Sequence, residues 1–458
     1  MLWQAACRVA LLLGTIALAG CATYSESFGV IERNLAAREY DAALQHIEKQ
    51  SGSKTGRVLY LLDKGMVLRM KRDFAGSNQA LEAAKAEMER LYAASVSENA
   101  LSFVVNDATV SYAGDDYEQV LVHLYMALNF LELGQPGDAR VEALQVDIKL
   151  REIGEKIAGS KFTEDALSRY LTGIIYEELG EWSDAMIAYR SAYIAYKKYQ
   201  ANYGLSMPDM LKRDLVRLAQ RQGLADEAAQ YRKEFGLDRP PKQSRAAEQE
   251  GELVFVLNNG LAPIKREKVV GAFAPPPSVM AEAATPHRPV TPAPTVVVNI
   301  ALPYYESRPN RVLAARVSVA GKQVSTQMME DIDAIARASL DSRMPAIAAR
   351  SVARAVAKGA IQESVDRAGN RNNDVAVELL GSFFVRVAAI ATERADTRSW
   401  LTLPANVQLA RLSLPPGSYT VTVDLLGADA QVVSTQEYLG VVITGKRKTY
   451  LTQHWVPN

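Results

Sequence analysis

The sequence predicts an α+β multidomain chain: an all-α helical-repeat region first, then an antiparallel β-sandwich carrying a helical insertion. Three observations predict it. Apolar residues recur at helical spacing from residue 30 to about residue 236, with Gly or Asp at the breaks. That pattern stops at Asp238-Arg239-Pro240-Pro241, and a polar stretch to Gly251 marks a boundary. Beyond it come short apolar runs bounded by turn residues, interrupted by one helical block. The chain has 458 residues, enough for two or three domains of about 150 residues each.

Composition excludes several functions. At 48% hydrophobic and 23% charged the chain is ordinary globular material, neither disordered nor fibrous. Fifty-two basic residues balance fifty-two acidic ones, so no bulk positive field exists to hold nucleic acid, and no nucleic-acid partner is expected. The four histidines, His46, His123, His287 and His454, are far apart, which argues against a histidine-built metal site. No nucleophile elbow, metalloprotease helix, dinucleotide fingerprint or P-loop occurs. The run Asp366–Asp374 lacks the ligand order and closing Glu of a calcium loop. No catalytic residue, cofactor or metal is therefore expected.

The first residues bear on location. Arg8 precedes a short apolar run, Val9–Ala17, and then Leu18-Ala19-Gly20-Cys21. This resembles the lipobox of bacterial lipoproteins. The resemblance implies that residues 1–20 are removed and that Cys21 carries acyl chains, each methylene contributing about 0.8 kcal/mol to anchoring. Residues 21–29 would form a tether. Cys7 would leave with the signal, so no disulfide can form within one mature chain. Ala22, in place of the Asp used for inner-membrane retention, implies the outer membrane with the body facing the periplasm.

Within residues 30–237 the chain repeats itself. Ala43 and Ser77 occupy one small-residue position, and Gly65, Phe74 and Ala84 fit the unit around Ser77. The clearest unit has Gly173, Tyr176, Leu179-Gly180, Trp182, Ala185, Tyr189 and Ala192. Leu133-Gly134 with Ala139 marks another unit, and Gly223, Ala228 and Tyr231 a fourth. The pattern resembles the tetratricopeptide (TPR) repeat, in which small residues let paired helices approach. Only the first two units are 34 residues apart, and residues 85–118 read as an insertion, so an irregular TPR-like solenoid is expected. The resemblance implies a concave partner-binding face, with Arg69, Tyr170 and Glu177 as candidates. Residues 117–133 read as a helix central in the array, with His123 a core residue, and Asp115-Asp116 as its N-terminus.

After the 238–251 linker, residues 252–458 are expected to form the β-rich domain. Residues 252–257, 269–273, 295–303 and 311–317 read as strands. Between them, 275–294 holds seven of the nineteen prolines and reads as an extended loop. Pro415-Pro416-Gly417 is a tight turn before an alternating strand, with Tyr419 anchoring a corner. The helical insertion spans about 327–396, with helices expected at 328–337, 344–366 and 375–391. Arg350, Arg354 and Lys358 share one face at i, i+4 spacing and could meet lipid headgroups or cell-wall polymer.

Taken whole, the chain is similar to a family of proteobacterial outer-membrane lipoproteins with the same helical front and β-rich rear. That resemblance supplies no activity. The function expected is a scaffold or adaptor for envelope or periplasmic proteins, held to the membrane through its N-terminal lipid. Two alternatives stand beside it: a lipoprotein that binds or processes cell-wall glycan through residues 252–458, with peptidoglycan contact, and a component of an envelope secretion assembly.

Overall fold

The computed structural model describes residues 24, 28–98, 110–156, 162–237, 249–274, 296–369 and 394–457. Cys21, the linker residues 238–248, the Pro-rich segment 275–294 and the expected helix 375–391 lie outside them.

Among the described residues ten helices form five consecutive pairs: α1 (Gly29–Ala36) with α2 (Tyr40–Glu48), α3 (Arg57–Met70) with α4 (Phe74–Glu98), α5 (Asp116–Glu132) with α6 (Pro136–Lys156), α7 (Ala166–Leu179) with α8 (Trp182–Tyr203), and α9 (Asp209–Arg221) with α10 (Ala225–Phe235). The same turn is built five times. The N–H groups of Glu39, Asp73, Gln135, Glu181 and Leu224 each donate to the carbonyl five residues earlier, which closes the preceding helix. The carbonyls of those same residues accept from Ala43, Ser77, Ala139, Ala185 and Ala228, which opens the next helix. These five are the small-residue positions of the repeat, and all are fully buried.

Just before each of those donors the backbone is left-handed. Gly134, Gly180 and Gly223 hold φ of 72°, 76° and 73°, whereas the first two turns place Arg38 (61°) and Arg72 (70°) there. Glycine adopts this conformation freely, and an L side chain does so at a cost of order 1 kcal/mol. Close helix approach explains two further glycines. A Cβ on Gly173 would lie 2.3 Å from the Tyr189 ring, and one on Gly65 would lie 2.7 Å from Leu81.

The array departs from expectation at one place: α4 runs on to Glu98, so the expected insertion begins as helix. As expected, α5 is central, with Asp115 and Glu118 forming a capping box at its N-terminus. His123 is a buried core residue whose Nδ1 lies 2.7 Å from Glu142 Oε2.

Among the described residues the rear holds ten strands: β1 (Gly251–Asn259), β2 (Ile264–Ala274), β3 (Val296–Glu306), β4 (Ala314–Val319), β5 (Lys322–Ser325), β6 (Gln327–Asp331), β7 (Asn406–Leu414), β8 (Gly417–Leu426), β9 (Val432–Ile443) and β10 (Lys448–Trp455). They make two four-stranded sheets, ordered β10-β1-β7-β6 and β5-β4-β8-β9, and a separate β2-β3 pair. The expectation of an all-antiparallel rear needs correction, because β1 and β10 run parallel. Phe255, Ala410 and Leu451 of the first sheet share one buried cluster with Val317, Val423 and Leu425 of the second. The turn at Pro415-Pro416 falls between β7 and β8 as expected, and Tyr419 donates its hydroxyl to the Pro415 carbonyl at 2.9 Å.

The helical insertion also differs. Gln327–Asp331 is strand, and helix α11 (Ile332–Gly369) then runs unbroken through Pro345. Met328 to Asp331 thus continue the first sheet rather than start a helix. Met329 is buried and its carbonyl accepts from Tyr196 at 3.0 Å, so tertiary packing decided the strand.

Candidate functional site

In β1 and β7 alternate side chains face opposite ways. On one face Val254, Val256, Val407 and Leu409 enter the hydrophobic cluster that also contains Leu62, Tyr125, Ile174 and Tyr196 of the array. The array and the first sheet therefore share one core. The loop after α11 completes it: Trp400 is 1% exposed and packs edge-on against Tyr125, with ring centroids 6.1 Å apart.

This arrangement corrects the expected concave binding face. Arg69, Tyr170 and Glu177 are buried, because the sheet of the same chain occupies the face they line. Arg69 donates to the Asn129 side chain and, at 3.0 Å, to the Thr452 hydroxyl on β10. Burial lowers the pKa of its guanidinium to about 10. Tyr170 and Glu177 belong to a charged clasp around Arg411 of β7. Arg411 grips Glu252 of β1 in bidentate fashion at 2.8 and 2.9 Å, donates to the Tyr170 hydroxyl at 2.7 Å, and pairs with Asp214 of α9. Arg217 joins Glu177 at 2.7 Å and Asp214 at 2.8 Å. Burial acts to raise the Asp214 carboxyl, but Arg411 and Arg217 override it and hold the carboxyl below its usual range.

A second buried cluster sits at the start of α5. Glu118 accepts from the Tyr112 hydroxyl at 2.5 Å, the Asp115 N–H at 3.0 Å and the Trp400 N–H at 2.7 Å. Burial, with the Asp115 charge adding to it, pushes Glu118 up to about 7. Asp115 lies 2.8 Å from Lys265 and 3.0 Å from Arg343. Burial alone would raise the Asp115 carboxyl, yet these two cations keep it far below the carboxylate range.

Beside this cluster lies a cavity of about 560 Å³ lined by Lys265, Arg343, Arg350, Arg354 and Arg398, with the carboxylates Asp115 and Asp396. Two of the three stripe cations therefore reach one cavity. Arg350 is exposed, as a solvated face would have it. Arg354, one turn further along the same face, is 3% exposed, and its Nη2 donates to the Ser351 hydroxyl at 3.3 Å. Lys358 lies on α11, but its side chain is outside the described residues. The chemistry available here is electrostatic: the described lining is suited to an anionic group.

Apolar surface is left uncovered on two helices of the array. Val141, Leu144 and Ile148 lie along α6 at i, i+3, i+7, and Ile187 and Ile194 lie along α8 at i, i+7; all five are exposed, from 44% to 58%. Sequence reading passed over them because the repeat resemblance directs attention to the inner helices. Their signal was present, since apolar residues on a second face exceed what one buried stripe needs. Arg411 had a fainter signal, a lone cation in the alternating run Val407–Leu414.

Among the described residues no group of three or more His, Cys, Asp and Glu could hold a metal ion, and no helix is long and apolar enough to cross a membrane.

No protein-family model and no curated protein matches the chain. Among solved structures, MamA is similar at 13% identity over 44% of this chain and 89% of its own, with a TM-score of 0.28. Pseudomonas aeruginosa pilF is similar at 14% identity over 47% and 76%, with a TM-score of 0.31. The apo form of RapI is similar at 14% identity over 46% and 68%, with a TM-score of 0.33. The description of the array as helix-turn-helix repeats rests on the five equivalent turns.

Proposed function

We propose that this chain is an outer-membrane lipoprotein, anchored through acyl chains on Cys21, whose TPR-like array is a protein-interaction scaffold facing the periplasm. Its work is contact rather than bond-making. The observation that carries the reading is the uncovered apolar stripe of α6 and α8. The inner face is filled by the chain's own sheet, so a partner would meet the outer one. Exposed apolar residues at helical spacing on α6 and on α8, the two helices that flank α7 in sequence, suit an amphipathic helix of an envelope protein.

The test is photocrosslinking in intact cells from position 144 and from position 187. A discrete adduct is expected from both, lost with Ile148→Asp and absent from a probe at Leu439 on β9. No adduct, or adducts indifferent to Ile148→Asp, would remove the support for a scaffold. Anchoring has a separate test. Cys21→Ser should release the protein from the membrane pellet, and continued pelleting would refute acylation at Cys21.

A further inference from the structure

Where α1 and α2 meet β9 and β10, two adjoining cavities of about 450 and 250 Å³ share Arg38, Tyr40 and His454 in their linings. The cations there are Arg38, Arg69, Lys71, Arg72 and Arg311, and no carboxylate is among the described lining residues. Two of these cations have carboxylate partners outside the described lining: Lys71 pairs with the exposed Asp41 at 2.5 Å, and Arg72 with Glu132, whose side chain is buried, at 3.5 Å.

Two independent observations mark the cleft as built for a ligand. The first is an orphaned amide. Gln453 is 5% exposed, and both its side-chain oxygen and its nitrogen lack a hydrogen-bond partner; Arg69 Nε in the same lining also lacks one. Buried donors and acceptors left unmatched destabilise a fold, so they point to a group that completes them.

The second is backbone strain. Of the five equivalent turns of the array, three use glycine at the left-handed position, and the two that use arginine place those arginines, Arg38 and Arg72, in this cleft. Each side chain accepts a strained backbone to stand there. The positive potential is felt locally. Burial lowers the pKa of His454 well below the usual imidazole value, and Arg69 and Arg72 push it the same way, so the ring is neutral.

We infer that this cleft binds an anionic saccharide, a sugar bearing a phosphate or a carboxylate. The arginines would meet the charge. The unmatched donor and acceptor of the Gln453 amide suit ring hydroxyls, and Tyr40 and Tyr438 offer aromatic surface. The smaller cavity has room for about one monosaccharide. The site lies apart from the apolar stripe of α6 and α8 and does not depend on the scaffold reading.

Calorimetric titration of the full chain in detergent tests this, with N-acetylmuramic acid and N-acetylglucosamine 1-phosphate as probes. Both are expected to bind at least tenfold more tightly than N-acetylglucosamine, inorganic phosphate or a pentaglutamate peptide. The double variant Arg38→Gly/Arg72→Gly installs the residue the other turns already use, so it should keep its circular dichroism while losing at least tenfold in affinity. Gln453→Leu should weaken binding as well. Absence of binding by the acidic sugars, equal binding of the neutral sugar or of phosphate, tighter binding of the acidic peptide, or parental affinity in the folded double variant would each overturn the inference.

Discussion

Glu118 makes stability depend on pH in an unusual direction. In the unfolded chain its carboxyl ionises near 4.5, and in the fold burial raises that to about 7. The protonated form is the one the fold prefers. Its contribution is therefore fully present below pH 4.5, declines as pH rises, and is gone above about 7. Across the whole window the loss amounts to roughly 3 kcal/mol, of which about 2 kcal/mol falls between pH 5 and pH 7.5. Asp115 adds no slope there, because its two cations keep it ionised throughout. Asp63 acts in the same direction, since burial lifts it from 3.8 to about 6. His454 opposes both, since its ring stays neutral in the fold but takes a proton near 6.5 when unfolded, so the readout is how the change in urea stability between pH 5 and pH 7.5 differs between wild type and Glu118→Gln. Glu118→Gln, which mimics the protonated acid, should reduce that pH-dependent loss by about 2 kcal/mol whatever its constant offset. An unchanged slope in Glu118→Gln would refute the reasoning, because it would place the titration elsewhere.

Gly173→Ala should destabilise the protein by about 1–3 kcal/mol in urea unfolding, since the new methyl has no room beside the Tyr189 ring. Wild-type stability would mean that α7 and α8 are less close than described. Arg411→Ala leaves buried Asp214 with Arg217 alone and Glu252 with Lys448 alone among the described cations and should cost about 3 kcal/mol; a loss under about 1 kcal/mol would show that the clasp is solvated. Val141→Asp and Ile148→Asp should each change stability by no more than about 0.5 kcal/mol, because both positions are exposed. A large drop in either thermal midpoint would place the stripe inside the protein.

Much of the array was legible residue by residue. Ala43, Ser77, Ala139, Ala185 and Ala228 stood out because helix pairs cannot approach over larger side chains, and that constraint is local. Gly134, Gly180 and Gly223 marked turns for an equally local reason, the left-handed backbone. At the first two turns the small residues Ala43 and Ser77 were the signal instead, since nothing in a sequence shows that Arg38 and Arg72 are held at positive φ. The candidate site fared worse. Arg69, Tyr170 and Glu177 were expected on an open binding face, yet each meets a residue about 230 to 380 positions later in the chain.

The sequence by itself determined the periodic helices, their turns, the alternation of the strands and the Tyr419 corner, because each depends on contacts within one or two turns of chain. Only the tertiary structure decided that the sheet fills the inner face of the array, that β10 runs parallel beside β1, and that five cations gather in one cleft without a carboxylate in its described lining. Those outcomes depend on burial and charge summed over distant segments. A one-dimensional pattern shows which residues need a partner but not which segment supplies it.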